Sequence, residues 1–280
     1  MMSAQSPKKR EERKLVVMKL NILRADPAGN ITVYVLDEVD RAKRAEVAAK
    51  IMEIEELKCE QVGFVYPTQE GGDGRMEMMG GEFCGNATRA FGLLVAKQKG
   101  GMEQVRVETS GCDHIVTVDT DLVAGTSRAE MPLPQAVTQE KVDDVIGTLV
   151  HLGGIAHLIV EDVEPSEEFF ARAEEQVLTR LNPIDAYGVI YLDKQTGKMT
   201  PLVKVVEPNT LVWEGSCGSG SLAAAVAQSQ NAEDGEFARD YVQPAGIVRA
   251  TVVREGGKVV AAFIGGPVGL GEPMEIEIEL

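Results

Sequence analysis

The sequence predicts an α+β fold built from two similar lobes, and three observations carry that expectation. Its 280 residues correspond to roughly two domains at about 150 residues each. β-branched, strand-like runs alternate with helical ones along the whole chain. The order of elements then repeats: Cys84-Gly85 and Cys217-Gly218 stand 133 positions apart, each in a glycine-rich break that opens a helix. A repeat this long implies two related units packed against each other.

Taken in order, residues 18–23, 31–36, 61–66 and 75–79 read as strands. Residues 41–57 read as a helix, because Val47, Ile51, Met52 and Ile54 fall on one face. The first break, Gly80-Gly81-Glu82-Phe83-Cys84-Gly85-Asn86, leads into a helix over 87–98 that Gly100-Gly101 stop, and three more strands follow. In the second half, 156–160 is a strand, and 166–181 a helix with Glu167 and Glu168 favourably placed in its first turn. Strands over 187–193 and 202–206 precede the second break, Trp213-Glu214-Gly215-Ser216-Cys217-Gly218-Ser219-Gly220, and a small-residue helix over 221–230. The same displacement of 133 carries 115–118 onto 248–251 and 128–131 onto 261–264. The expected organisation is a disordered leader over 1–17, an N-terminal lobe over 18–134 and a C-terminal lobe over 135–267. Residues 268–280 are expected to return to the first lobe.

Composition excludes several function classes. Lys and Arg total 28 against 44 for Asp and Glu, a formal net charge of −16. Such a surface repels phosphate backbones and anionic lipid, so neither nucleic acid nor a membrane is an expected partner. No apolar run approaches the 18 or so residues of a membrane span. The leader carries the basic stretch Lys8-Lys9-Arg10 without the apolar core of a secretory signal. Cys59, Cys84, Cys112 and Cys217 show no C-x-x-C spacing, which points to the reducing cytoplasm. His114, His151 and His157 show no metal-ligand spacing among themselves or to the cysteines, so no metal is expected.

Chemistry therefore centres on Cys84 and Cys217. At a helix N-terminus the free N–H groups and the dipole favour a thiolate, and the same N–H groups offer a carboxylate site. Two such sites facing each other would hold one carboxylate with a sulfur on either face of the neighbouring carbon. That geometry suits removal of a proton from one face of a stereocentre and its return from the other. Cys59 and Cys112 read as ordinary packed cysteines. The segment from Gly215 to Gly220 also looks loosely like a nucleophile elbow, for which His157 is the one candidate base.

Glu82-Phe83-Cys84-Gly85-Asn86-Ala87 and Gly215-Ser216-Cys217-Gly218-Ser219-Gly220 resemble the two active-site motifs of the diaminopimelate epimerase and proline racemase superfamily. The resemblance runs from about Met18 to the C-terminus. It implies two pseudo-symmetric lobes, each a mixed β-sheet or barrel around a central helix. It also implies a thiol–thiolate pair working without cofactor, and a homodimer. Ala28-Gly29-Asn30, Glu60-Gln61 and Gly154-Ile155-Ala156-His157 match further motifs of these enzymes. The implied substrate-binding residues are Asn30, Glu60, Gln61, Gly85, Asn86, His157, Glu214, Gly218 and Ser219.

The departures narrow the substrate. Diaminopimelate epimerases grip a distal amino-acid head with asparagines and an arginine, whereas this chain has Ile155, Ala186 and Asn209 at the matching positions. Glu77-Met78-Met79-Gly80-Gly81 supplies no asparagine either. Each lost charge-assisted hydrogen bond forfeits about 1.5–3 kcal/mol, so diaminopimelate is a poor fit. Proline racemase fits badly as well, because its Asp-Arg-Ser-Pro lead-in to the second cysteine is missing. Cys59-Glu60-Gln61-Val62-Gly63-Phe64 and Trp213-Glu214 with the cysteine motifs look more like the histidine racemase branch, which serves opine-type metallophore pathways. That resemblance implies histidine as the small-molecule partner, with Glu60 meeting its imidazole or ammonium. The pocket is expected to be lined by Met78, Met79 and Ile155. The alternatives are a diaminopimelate epimerase with a rearranged pocket, a broad amino-acid racemase, or a non-catalytic binding member of the fold.

Overall fold

The computed structural model describes residues 17–181, 183–207 and 209–280, and the expectation for the leader falls outside them up to Val17. The first half runs β1 (Val17–Asp26), β2 (Thr32–Val35), α1 (Arg44–Met52), β3 (Gln61–Tyr66), β4 (Gly74–Met78), α2 (Gly85–Gln98), β5 (Gln104–Thr109), β6 (Val116–Asp121) and β7 (Thr126–Glu130). The second runs β8 (Ala136–Val142), β9 (Val145–His151), β10 (Ile155–Glu161), α3 (Glu167–Gln176), β11 (Ala186–Leu192), β12 (Met199–Val205), β13 (Thr210–Trp213), α4 (Gly218–Gln228), β14 (Gly235–Val242), β15 (Ile247–Glu255) and β16 (Lys258–Pro267). The chain ends with β17 (Gly269–Leu270) and β18 (Met274–Glu279).

Strand pairing repeats with the sequence. β2 and β3 are parallel across the α1 crossover, as β10 and β11 are across α3, and each pair continues antiparallel into β4 or β12. β5–β6–β7 and β14–β15–β16 are matching antiparallel meanders. The halves differ where the meander meets the preceding strands. β4 pairs parallel with β5, whereas the described residues of the second half have a single parallel bridge, Lys198–Val242, at the corresponding place. An antiparallel ladder between β7 and β16 joins the two meanders, so β14–β16 share a 12-stranded sheet with the first-half strands. β8–β13 form a separate 6-stranded sheet. β18 runs along β1 from Val17–Glu279 to Ile22–Met274.

α2 and α4 are the central helices. In α2, every residue from Gly85 to Ala96 is buried, and α4 buries Leu222–Val226 without a polar face. A helix apolar all round is a core helix, and the small residues of α4 let strands approach it closely. Both helices begin earlier than their sequence pattern suggests, because each cysteine serves as the N-cap. The helix expected over 41–57 is shorter: α1 buries Val47, Ala48 and Ile51 and ends at Met52, which is exposed. A 3-10 turn at Glu55–Leu57 follows, closed by Lys58 in the left-handed region. α3 likewise ends at Gln176, after Ser166 caps it by accepting from the Phe169 N–H. The β8–β9 hairpin escaped sequence analysis because β8 is mostly solvent-facing and polar. Among the described residues, no helix is long and apolar enough to cross a membrane.

Candidate active site

Cys84 caps α2 with its sulfur, which accepts from the Ala87 N–H at 3.5 Å, while its carbonyl accepts from Thr88. Gln61, at the start of β3, donates from Nε2 to Cys84 Sγ at 3.4 Å. That amide also donates to Asn30 Oδ1 at 2.7 Å and Thr32 Oγ1 at 2.9 Å. Asn30 in turn donates to Glu60 Oε2 at 3.0 Å. A chain of neutral donors thus leads from the solvent-exposed Glu60 to the sulfur. Arg89, fully buried one turn further along α2, donates to Asn86 Oδ1 and to the carbonyls of Gly266 and Pro267. Its positive charge interacts with Cys84. Burial pushes the Cys84 thiol up, and the Ala87 N–H and Gln61 pull against that shift by favouring the thiolate.

Cys217 caps α4 in the same way, its sulfur accepting from the Gly220 N–H at 3.3 Å and its carbonyl from Ser221. Its own N–H donates to Gln243 Oε1 at 2.6 Å, and Gln243 donates to Ser221 Oγ at 2.9 Å. Ser219 Oγ lies 3.5 Å from the sulfur. The electrostatic partner is an acid. Burial raises the Glu214 carboxyl to about 7, and Glu214 shares a hydrogen bond with the Cys217 thiol. Burial first, then the charge and hydrogen bond of Glu214, hold the Cys217 thiol well above the usual range. The two sulfurs are therefore unequal: both are raised by burial and held by backbone donors, but Gln61 offsets the shift at Cys84 whereas Glu214 adds to it at Cys217. Replacing Glu214 with Gln removes that negative charge, so the Cys217 thiol should ionise at lower pH. The pH dependence of Cys217 alkylation in a Cys84→Ser background measures this directly, and an unmoved profile would show that Glu214 does not set it.

Packing brings the two helix starts together. A Cβ on Gly85 would stand 2.8 Å from Ile264 Cδ1, and one on Gly218 would stand 2.7 Å from the same atom and 3.5 Å from the Asn86 amide. Glycine at both positions lets the two N-termini close on one side chain without displacing it. Glu60 Oε1 lies 4.0 Å from where a Cβ on Gly215 would sit, and the Glu60 and Glu214 charges interact. Among the residues singled out in the sequence, Asn30, Glu60, Gln61 and Asn86 group around the first helix start. Ser219, Glu214 and His157 group around the second.

The structure bears on three of the expectations. His157 is not a base for a cysteine: its Nε2 pairs with Ser219 Oγ at 2.8 Å, it has no exposed surface, and burial lowers it to about 3. Asn86 is nearly fully buried, with its oxygen already held by Arg89. Met78 and Met79 do not form a pocket wall. Met78 is wholly buried against α2, and Met79 packs on the core beside α1. Strand alternation could not foresee this, because β4 is covered on both faces. Sequence reasoning also missed Gln243 and Arg89, which lie outside both cysteine motifs and act through long-range contacts.

A neutral buried histidine makes stability depend on pH. The unfolded chain protonates His157 near 6.5 and the folded one only at about 3. The unfolded state therefore binds the extra proton between those values, and the His157 contribution is complete above 6.5 and lost as pH falls toward 3. The slope should be at most about 1.4 kcal/mol per pH unit. Urea midpoints across this range should flatten in His157→Gln; an unchanged slope would mean that His157 is not held neutral.

Comparison with known proteins identifies the family and the fold. The family model described as the histidine racemase CntK N-terminal domain matches residues 19–272. A histidine racemase of Fusobacterium nucleatum is 33% identical over 218 residues, covering 74% of this chain and 80% of that protein. A histidine racemase of Staphylococcus aureus is 28% identical over 250 residues, covering 82% of this chain and 87% of its own length. In fold, the chain is similar to a predicted epimerase from Pseudomonas aeruginosa, with a TM-score of 0.65 at 13% identity, covering 92% of this chain and 99% of the other. With two cysteine-capped helix starts closing on one isoleucine, and a family match spanning both, the chain belongs to the histidine racemase family.

Proposed function

We propose that this protein interconverts L- and D-histidine by moving the α-proton between Cys84 and Cys217. The observation that carries the reading is the pairing of two cysteine-capped, buried helices whose first turns meet at Ile264. The substrate carboxylate sits at the helix starts, where first-turn N–H groups such as those of Gly85 and Gly218 lack intrahelical acceptors. One sulfur, as thiolate, takes the α-proton; the C–H pair passes into the carbon–carboxylate system, and the opposite thiol returns a proton to the other face. Each turnover leaves the enzyme with its thiol and thiolate exchanged. Because Glu214 adds to burial in holding the proton on Cys217, Cys84 is the more readily ionised of the two sulfurs.

Incubation with L-histidine in D₂O tests the activity. D-histidine should form, and its α-position should carry deuterium from the first turnover. D-histidine without α-deuterium would overturn proton transfer through exchangeable thiols. The same chemistry requires both thiols reduced, which supports residence in the cytoplasm. The homodimer is inferred from resemblance to the superfamily alone, and the mass in solution tests it.

A further inference from the structure

We propose that Cys112, Asp113 and His114, in the loop between β5 and β6, form a binding site for a divalent cation of the zinc class. His114 Nδ1 lies 3.4 Å from Cys112 Sγ and 3.0 Å from Asp113 Oδ1, and one donor atom from each residue falls within 4.8 Å of the others. Zinc–ligand bonds of about 2.0–2.3 Å in tetrahedral geometry place donor atoms about 3.3–3.6 Å apart. The side chains already approach that spacing. No recognisable ligand motif marks these residues in the sequence, because three neighbouring positions converge only when the backbone turns.

The loop is fixed where a ligand set needs it fixed. Ser110 Oγ accepts from the Met78 N–H and donates to the Glu82 carbonyl, each at 2.8 Å. Gly111, at φ +68, lies so close to the backbone of Glu82 and Phe83 that a Cβ there would stand 2.2 Å from the Phe83 nitrogen. Beside the trio is a cavity of about 180 Å³, lined in part by Cys112, His114 and Thr109. Thr109, which lines the cavity, also has a buried Oγ1 without a partner among the described residues. The cavity leaves room for a fourth, water-derived ligand. Asp113 and, from β7, Glu130 add negative charge around the sulfur, on a chain of net charge −16. One thiolate, one imidazole and one carboxylate favour zinc, cobalt or nickel over magnesium or calcium. On binding, the metal takes the place of the thiol proton, which is released to solvent.

The test is anaerobic addition of Co²⁺ to the reduced full-length protein, read by absorption. A sulfur-to-cobalt charge-transfer band should appear at one equivalent and be erased by Zn²⁺. It should persist in the Cys84→Ser/Cys217→Ser double variant, which removes the active-site thiols as ligands. It should vanish in Cys112→Ser, and His114→Ala should weaken Co²⁺ binding at least about tenfold. His114 is exposed, so its replacement keeps the test meaningful even if Cys112→Ser folds poorly. Absence of the band in the wild-type protein, or a band that survives Cys112→Ser but not the double variant, would overturn the proposal.

Discussion

Replacing either Cys84 or Cys217 with Ser should lower histidine racemisation by roughly 10²–10⁴-fold, the usual contribution of a positioned acid or base. A serine hydroxyl caps a helix as well as a thiol does, so both variants should fold. The loss is then chemical rather than structural, and matching circular dichroism and urea midpoints would establish that. The two variants should also differ from each other. With one sulfur left, proton removal from one face only remains open, so any residual α-deuteration should be confined to one enantiomer, and to the opposite one in the other variant. Iodoacetamide at neutral pH should label Cys84 ahead of Cys217, because Glu214 holds the proton on the second thiol. Full racemisation by either single variant would end the two-base account.

The second large effect concerns the substrate. Turnover of L-histidine should exceed that of meso-diaminopimelate by at least about two orders of magnitude, the equivalent of two unpaired polar groups. Ile155 and Ala186 face each other in register at the starts of the parallel strands β10 and β11, where neither offers a hydrogen bond to a distal amino-acid head. Glu60 has one oxygen held by Asn30 and the other directed toward Gly215. On the proposed reading that second oxygen accepts from the substrate imidazole, which can donate in either charge state. Glu60→Gln should accordingly raise KM for histidine while leaving the unfolding free energy within about 0.5 kcal/mol of wild type, as expected for an exposed side chain. Equal rates on both substrates would leave the family membership intact and remove the histidine assignment.

The two cysteine motifs and their spacing of 133 positions were legible without coordinates because a helix start is local. Glycines beside a capping residue specify the turn whatever the rest of the chain does. The helices and strand segments called in each half follow from periodicity for the same reason, whereas the pairing of the strands into meanders and parallel crossovers is long-range and emerges only in the fold. Element ends were less legible: helix 41–57 stops at Met52 because burial of α1 ends there, a property of its neighbours rather than of its own pattern.

The unequal settings of the two sulfurs could not be read from motifs that are nearly symmetric in sequence. Glu214 is close to Cys217 along the chain, but its raised carboxyl depends on burial, and Gln61 reaches Cys84 from a strand 23 residues away. Tertiary packing likewise turned His157 from a candidate base into a neutral partner of Ser219, and Met78 from a pocket wall into core. Sequence alone nominated the groups proposed to carry the chemistry, since residue type and local turn geometry are enough for that. Only the folded structure decided each group's protonation and access, because desolvation and long-range hydrogen bonds depend on everything packed around it.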